Sequence, residues 1–223
     1  MANFRTHLVV AAAGGAAIAY GGWQGGLWEA REALPILALV TLGGILPDID
    51  ADRSRAIRLV FHLLAILAVA VGAQWLGEWL DLGSLLLACG ALYLGVRYLG
   101  ATLFSRFTVH RGLWHSLLAA AFCGLAAAVL SHRLFAQPDT LAWVHGLAVA
   151  AGFVIHLALD ELFSVDLTGA RLKRSFGTAL KPFDWRSPGN SLVMLLAAVS
   201  LQPWLPPGEP LWALLAQGAA LWR

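Results

Sequence analysis

Charge is what this chain has least of. Only 13% of its 223 residues are Asp, Glu, Lys or Arg, about half the share usual in a soluble domain. No hydrophilic stretch is long enough to make a separate soluble domain, so residues 1–223 read as a single domain. The formal net charge of +2 is too small to argue for nucleic acid, whose binding rests on many phosphate contacts. Cysteine is nearly missing too. The two present, Cys89 and Cys123, sit inside apolar runs, which suits small packing residues better than a disulfide or a thiolate metal site. There is no His-Glu-x-x-His pair, which counts against a common metalloprotease arrangement. No internal repeat is visible.

What remains is apolar: 59% of residues are hydrophobic and the mean hydropathy is +0.72. This composition predicts an all-α, polytopic membrane bundle. Eight apolar segments can be marked, at about 7–22, 33–46, 57–76, 83–104, 115–133, 141–163, 190–203 and 210–222. The third to sixth approach the roughly 20 residues that span a bilayer, whereas the others are short. Gly and Ala are abundant, as in Ala11-Ala12-Ala13-Gly14-Gly15-Ala16-Ala17, and such residues let helix backbones approach closely in lipid. Arg5 with the apolar stretch to Tyr20 and Ala17-Ile18-Ala19 imitates a cleavable secretory signal. Because the whole chain shares that composition, we read it as the first membrane segment.

The charges sort the connections into two sets. If the chain starts inside and crosses eight times, the outer connections hold Arg31 and Arg133 with Glu29, Glu32, Glu78, Asp81, Asp139 and Glu209. All remaining Lys and Arg, including Arg53, Arg55, Arg58, Arg106, Arg111 and the run Arg171 to Arg186, fall inside. The positive-inside rule then puts the N-terminus in the cytoplasm, in an inner (cytoplasmic) membrane.

Ionisable groups beside hydrocarbon need partners. Four places supply them: His7; Asp48 and Asp50 in the turn after Gly43-Gly44 and Pro47; His110 and His115 around Gly112; and His156 with Asp160. On the orientation above, all four lie at the cytoplasmic face. His156 and Asp160 are spaced i, i+4, hence on one helix face. Paired carboxylates such as Asp48 and Asp50 repel each other near lipid unless a cation neutralises them. Arg111 can grip a phosphate bidentately or snorkel to the headgroups, and Ser116 suits a helix cap. His62 is a weaker candidate for a supporting contact, and His132 and His145 fall on the outer side. The mixed nitrogen and oxygen set of His7, Asp48, Asp50, His110, His115, His156 and Asp160 suits one or two divalent ions, zinc first, with manganese or iron as alternatives.

His7, Pro-Asp-Ile-Asp at 47–50, His-Arg-Gly-x-x-His-Ser at 110–116 and His-x-x-x-Asp at 156–160 also resemble the pattern of the YdjM-type inner-membrane proteins. The resemblance covers roughly residues 1–190. It implies a metal-dependent hydrolase and a distant relation to the helical fold of zinc phospholipase C and P1 nuclease. Trp114 stands where that family commonly has Thr, so no hydroxyl acts there. The expected function is therefore hydrolysis of a phosphoester or pyrophosphate in a lipid or membrane-associated substrate. In this reading Asp50, Arg111 and His115 are catalytic, and Arg53 and Arg55 help Arg111 to orient phosphate. Membrane lipids are the expected partners, with no nucleic acid. The basic, aromatic stretch from Arg171 to Arg186 can lie among lipid headgroups or serve as a plain positive-inside anchor. The rival readings are an intramembrane metalloprotease or amidase, a metal or ion transporter, and a scaffold stapled by a metal without catalysis.

Overall fold

The computed structural model describes residues 3–51, 54–107, 112–166, 171–172, 177 and 179–221. Among them, nine α-helices carry the architecture: α1 (Phe4–Gln24), α2 (Ala33–Gly43), α3 (Arg55–Leu76), α4 (Leu82–Leu94), α5 (Ala101–Phe107), α6 (Leu117–Val129), α7 (Asp139–Leu162), α8 (Pro188–Ser200) and α9 (Glu209–Ala220). Each of the eight apolar segments is helical. The pairing of Val165–Asp166 with Arg171–Leu172, two residues a side and antiparallel, is the one departure from helix and turn among the described residues.

Five helical stretches are long and apolar enough to cross a membrane: Ala30–Asp50, Arg55–Leu76, Leu82–Arg106, Leu117–Leu134 and Asp139–Leu162. The short α8 and α9 make a sixth only if counted as one span, because they bend by 104° at the break between them. Although 21 residues long, α1 is not among these stretches. Arg5, His7 and four glycines dilute its hydropathy.

Local chemistry starts the helices where a polar side chain can take the first unpaired amides. Asn3 Oδ1 accepts from Thr6 N at 2.9 Å before α1, and Ser54 Oγ from Ile57 N at 3.0 Å before α3. Ser116 Oγ accepts from Ala119 N at 3.2 Å, which is the capping role its position predicts.

The chain divides into two compact units, Met1–Pro47 with Arg111–Arg223, and Asp48–His110. In the first unit α7 is the central helix, packed against α1, α2, α6 and α9, while α8 packs on α6. Glycines set the spacing. A Cβ on Gly152 would lie 1.9 Å from the Val40 carbonyl oxygen, and one on Gly43 would lie 2.2 Å from that of Val149, so α2 and α7 touch backbone to backbone. Two apolar clusters fill the unit: Ala119, Ala120, Cys123, Val149, Phe153, Leu157 and Met194, and Ala19, Ile36, Val40, Val144, Ala148 and Leu214. Cys123 is a buried member of the first, and both cysteines are free thiols, as their apolar settings imply.

The second unit is a helical hairpin. After α3 the chain turns through Gly77 to Asp81, and α4 continues through a π-helical stretch, Gly95–Gly100, into α5. Phe61 meets Phe104 with ring centroids 5.6 Å apart, and His62 Nδ1 lies 2.8 Å from the Tyr93 hydroxyl. That contact satisfies His62 inside the hairpin.

Candidate metal centre

One end of the first unit gathers ionisable groups from three helices. His7 lies in the first turn of α1, His115 immediately precedes the Ser116 cap of α6, and His156 and Asp160 occupy the last turns of α7. All four are almost fully buried, none more than 3% exposed. The antiparallel packing of α1 and α6 on α7 produces this meeting, since it brings two helix starts beside one helix end.

Asp160 is the hub. Its Oδ1 is 3.3 Å from His7 Nε2, and its Oδ2 is 3.8 Å from His115 Nε2 and 4.0 Å from His156 Nε2. The rings of His7 and His156 stack at 3.7 Å with 11° between planes, and His115 meets His156 edge-on at 5.8 Å. His7, His156 and Asp160 each offer a ligand atom, all within 4.8 Å of one another.

A backbone carbonyl fixes the chemistry of His156. Its Nδ1 lies 2.7 Å from Gly44 O. A carbonyl only accepts, so Nδ1 carries a proton, which leaves Nε2, facing Asp160, as the nitrogen available to an ion. Metal-ligating imidazoles are commonly oriented in this way by an acceptor on the far nitrogen. In a tetrahedral site, two donors each about 2.1 Å from an ion lie about 3.4 Å apart. The nitrogen-to-oxygen separations around Asp160 begin at that value, and they are longer than direct hydrogen bonds. His7 Nδ1, also buried, has no hydrogen-bond partner among the described residues. The donor set therefore fits a divalent cation. Zinc, manganese and iron all accept such a set of three imidazoles and a carboxylate.

Of the other residues expected at the site, Asp48 and Asp50 lie in the 3₁₀ turn Leu46–Asp50. Asp50 is buried, and the Asp48 carbonyl accepts from Ser54 Oγ at 3.0 Å. Arg55 is the exposed first residue of α3. Arg53, His110 and Arg111 lie outside the described residues. At the opposite end of the unit, Ser131 Oγ and His145 Nδ1 are 2.7 Å apart, and His132 Nδ1 is 3.3 Å from Asp139 Oδ1. Those histidines have local partners.

Two contributors have no signature in the sequence. The Gly44 carbonyl is one, because a backbone acceptor is not encoded by residue type. Glu161 is the other. Beside Asp160, it accepts from the amides of Gly177 and Ala179, pinning the basic stretch to the end of α7. The Lys181 and Pro182 carbonyls accept from Leu117 N and Leu118 N, both at 2.9 Å, so the same stretch also closes the start of α6.

No curated protein and no solved structure matches the chain. A family model does, over residues 1–217, and the protein belongs to the YdjM inner membrane protein family.

Proposed function

We propose that this integral membrane protein is a metal-dependent hydrolase of phosphoester or pyrophosphate bonds in a lipid or membrane-associated substrate. The observation that carries the reading is the buried convergence of His7, His115 and His156 on Asp160, with His156 oriented by Gly44. Three imidazoles and one carboxylate bring at most a single negative charge to a divalent ion. Such mixed sites tend to keep a position open for water, whereas structural zinc sites are closed and usually use cysteine. Here the cysteines lie elsewhere.

A bound zinc, manganese or iron would lower the pKa of its water to about 7 and polarise a phosphoryl oxygen. The chain supplies the rest. His7, His115, His156 and Asp160 would hold the ion. Asp48, Asp50 and His110 complete the proposed ligand set, Asp48 following the anchoring Gly44 by only four residues. Asp50 would take a proton from the water that such an ion activates, and His115 would steady the reacting oxygen. Arg111, with Arg53 or Arg55, orients the phosphate through paired N–H donors. The positive-inside rule places this end, and the N-terminus, in the cytoplasm.

The test is metal analysis of the purified protein, followed by assay against a panel of phosphate monoesters, phospholipids and lipid pyrophosphates. Asp50→Asn should keep the fold and, through His7, His115, His156 and Asp160, a bound ion, but lose turnover. His156→Ala should lose both metal and turnover. If Asp50→Asn instead sheds metal and stability together while no substrate is cleaved by the wild type, the site is a staple and the catalytic reading fails.

A further inference from the structure

A second feature of the first unit lies in its other half. Between α1, α7 and α9 runs a groove of about 850 Å³, bordered by Gly21 and Trp28 on one side, Leu147 and Ala151 on α7, and Leu214 and Gly218 on α9. Its nearest wall on α1, Ala17, is ten residues beyond His7, about 15 Å along a helix axis, so the groove and the metal centre occupy opposite halves of the bundle. We infer that this groove binds one hydrocarbon chain of a phospholipid from the leaflet opposite the metal centre.

Three observations select that occupant. Every lining residue is apolar or glycine, and the Trp28 indole N–H is already spent on the Ala19 carbonyl at 3.0 Å. The walls thus offer no free polar side chain to an ion, a sugar or a polar headgroup. Next, a Cβ built on Gly21 or on Gly218 meets no atom within 4 Å, so no side chain among the described residues fills the space beside them. Apolar cavities stay dry, yet surfaces facing a void forfeit dispersion contacts. In a bilayer, lipid chains are the available filler.

Length decides against a protein helix. The groove follows α1 from Ala17 to Gly22 and α7 from Val144 to Ala151, about 8 to 11 Å of helix axis. A membrane-spanning partner needs a seam nearer the roughly 30 Å of the hydrocarbon core. A flexible chain can enter the short groove. Tyr20 and Trp23 are exposed where α1 ends, with rings edge to face at 5.9 Å. Amphipathic rings of this kind mark the headgroup level, so the groove lies just beneath an interface. Leu221 closes that end, its Cδ1 lying 2.5 Å from where a Cβ on Gly25 would stand.

The test uses the full-length protein in lipid nanodiscs containing a phospholipid with a photoactivatable diazirine on its acyl chain. After irradiation, labelled peptides are mapped by mass spectrometry, with α4 as the internal reference, since its span has no buried residue. Peptides bearing Ala17–Gly22 and Leu214–Ala219 should carry several-fold more label than α4. Gly218→Phe, and independently Gly21→Phe, should cut that excess several-fold while leaving α4 labelling and metal content unchanged. The two variants fill the groove from different walls, so failure of one to fold leaves the other and the wild-type pattern to decide. Labelling of the groove no higher than α4, or an excess that survives both variants that fold, overturns the proposal. So does crosslinking of the groove to a second copy of the chain in place of lipid.

Discussion

Two stretches of this protein look alike by composition and behave differently. The apolar 18-residue window of the span Asp139–Leu162 has a mean hydropathy of 1.8, with 56% of it buried in the protein; that of Leu82–Arg106 has 1.5, with none of it buried. Hydropathy therefore marks both as membrane segments without distinguishing the helix that packs from the one whose surface is left exposed. The glycines do distinguish them. Gly146 and Gly152 on α7 face backbone, with the Gly124 and Val40 carbonyl oxygens 2.7 and 1.9 Å from where a Cβ would be, whereas Gly90 and Gly95 face open space. Close packing in lipid depends on small residues at contact points, and glycine away from a contact buys nothing. The buried helix is also the one carrying His156 and Asp160, because only a helix surrounded by others can hold ionisable groups away from hydrocarbon.

The sharpest way to break this contrast is to enlarge the glycines. Gly152→Leu would drive side-chain atoms into the Val40 carbonyl and toward Gly44 N, 2.9 Å from the Cβ position. Overpacking against backbone should destabilise the fold by about 3 kcal/mol or more, and displacement of Gly44 should release His156 as well. Gly90→Leu should stay within about 0.5 kcal/mol of wild type. Thermal unfolding of both variants in detergent decides, and equal shifts would remove the distinction between the two spans.

The next largest effect concerns the charges on α7. Asp160→Asn removes the carboxylate that three imidazoles face, and divalent-metal affinity should fall by at least about a hundredfold, the upper range for losing even an outer-shell partner of a metal site. Asp139→Asn, at the other end of the same helix, should leave it unchanged. Competition with a chromophoric chelator measures both. Retention of full affinity by Asp160→Asn would take Asp160 out of the site.

The smallest effect belongs to the hairpin. Asp81 caps α4, accepting from Gly83 N, Ser84 N and the Ser84 hydroxyl. The Ser84 hydrogen bonds, foremost that of its hydroxyl, hold the carboxyl below the ordinary carboxylate range. A carboxyl depressed in the folded state stabilises above its unfolded pKa, and that contribution is lost as pH falls through the lower folded value. A pH titration of hairpin stability should show this acid-side loss in the wild type and its absence in Asp81→Asn. An identical acid limb in both would show that the cap contributes nothing.

Much of the site was readable before the structure because its pieces are short-range. The i, i+4 spacing of His156 and Asp160 places them on one helix face whatever surrounds them, and a serine directly before an apolar run is a cap by local geometry. Membership of a membrane class follows from composition alone. The number of spans was less legible: α1 carries an apolar run yet falls short on hydropathy, and α8 and α9 bend sharply where the sequence shows only Pro203, Pro206 and Pro207. The anchoring of the basic stretch by Glu161 could not be read either, since a carboxylate accepting from amides sixteen and eighteen residues away leaves no periodic trace.

The sequence by itself determined that this chain is helical, lives in a membrane and carries donors for a metal, because hydrophobicity and ligand chemistry belong to individual residues and their near neighbours. Only the tertiary structure decided that His7, His115 and His156 face one Asp160, that Gly44 fixes the tautomer of His156, and that Gly21 and Gly218 border a groove instead of a seam. Those depend on which helix surfaces approach one another. In lipid that choice is made by backbone contact at a few glycines, and hydropathy says nothing about it.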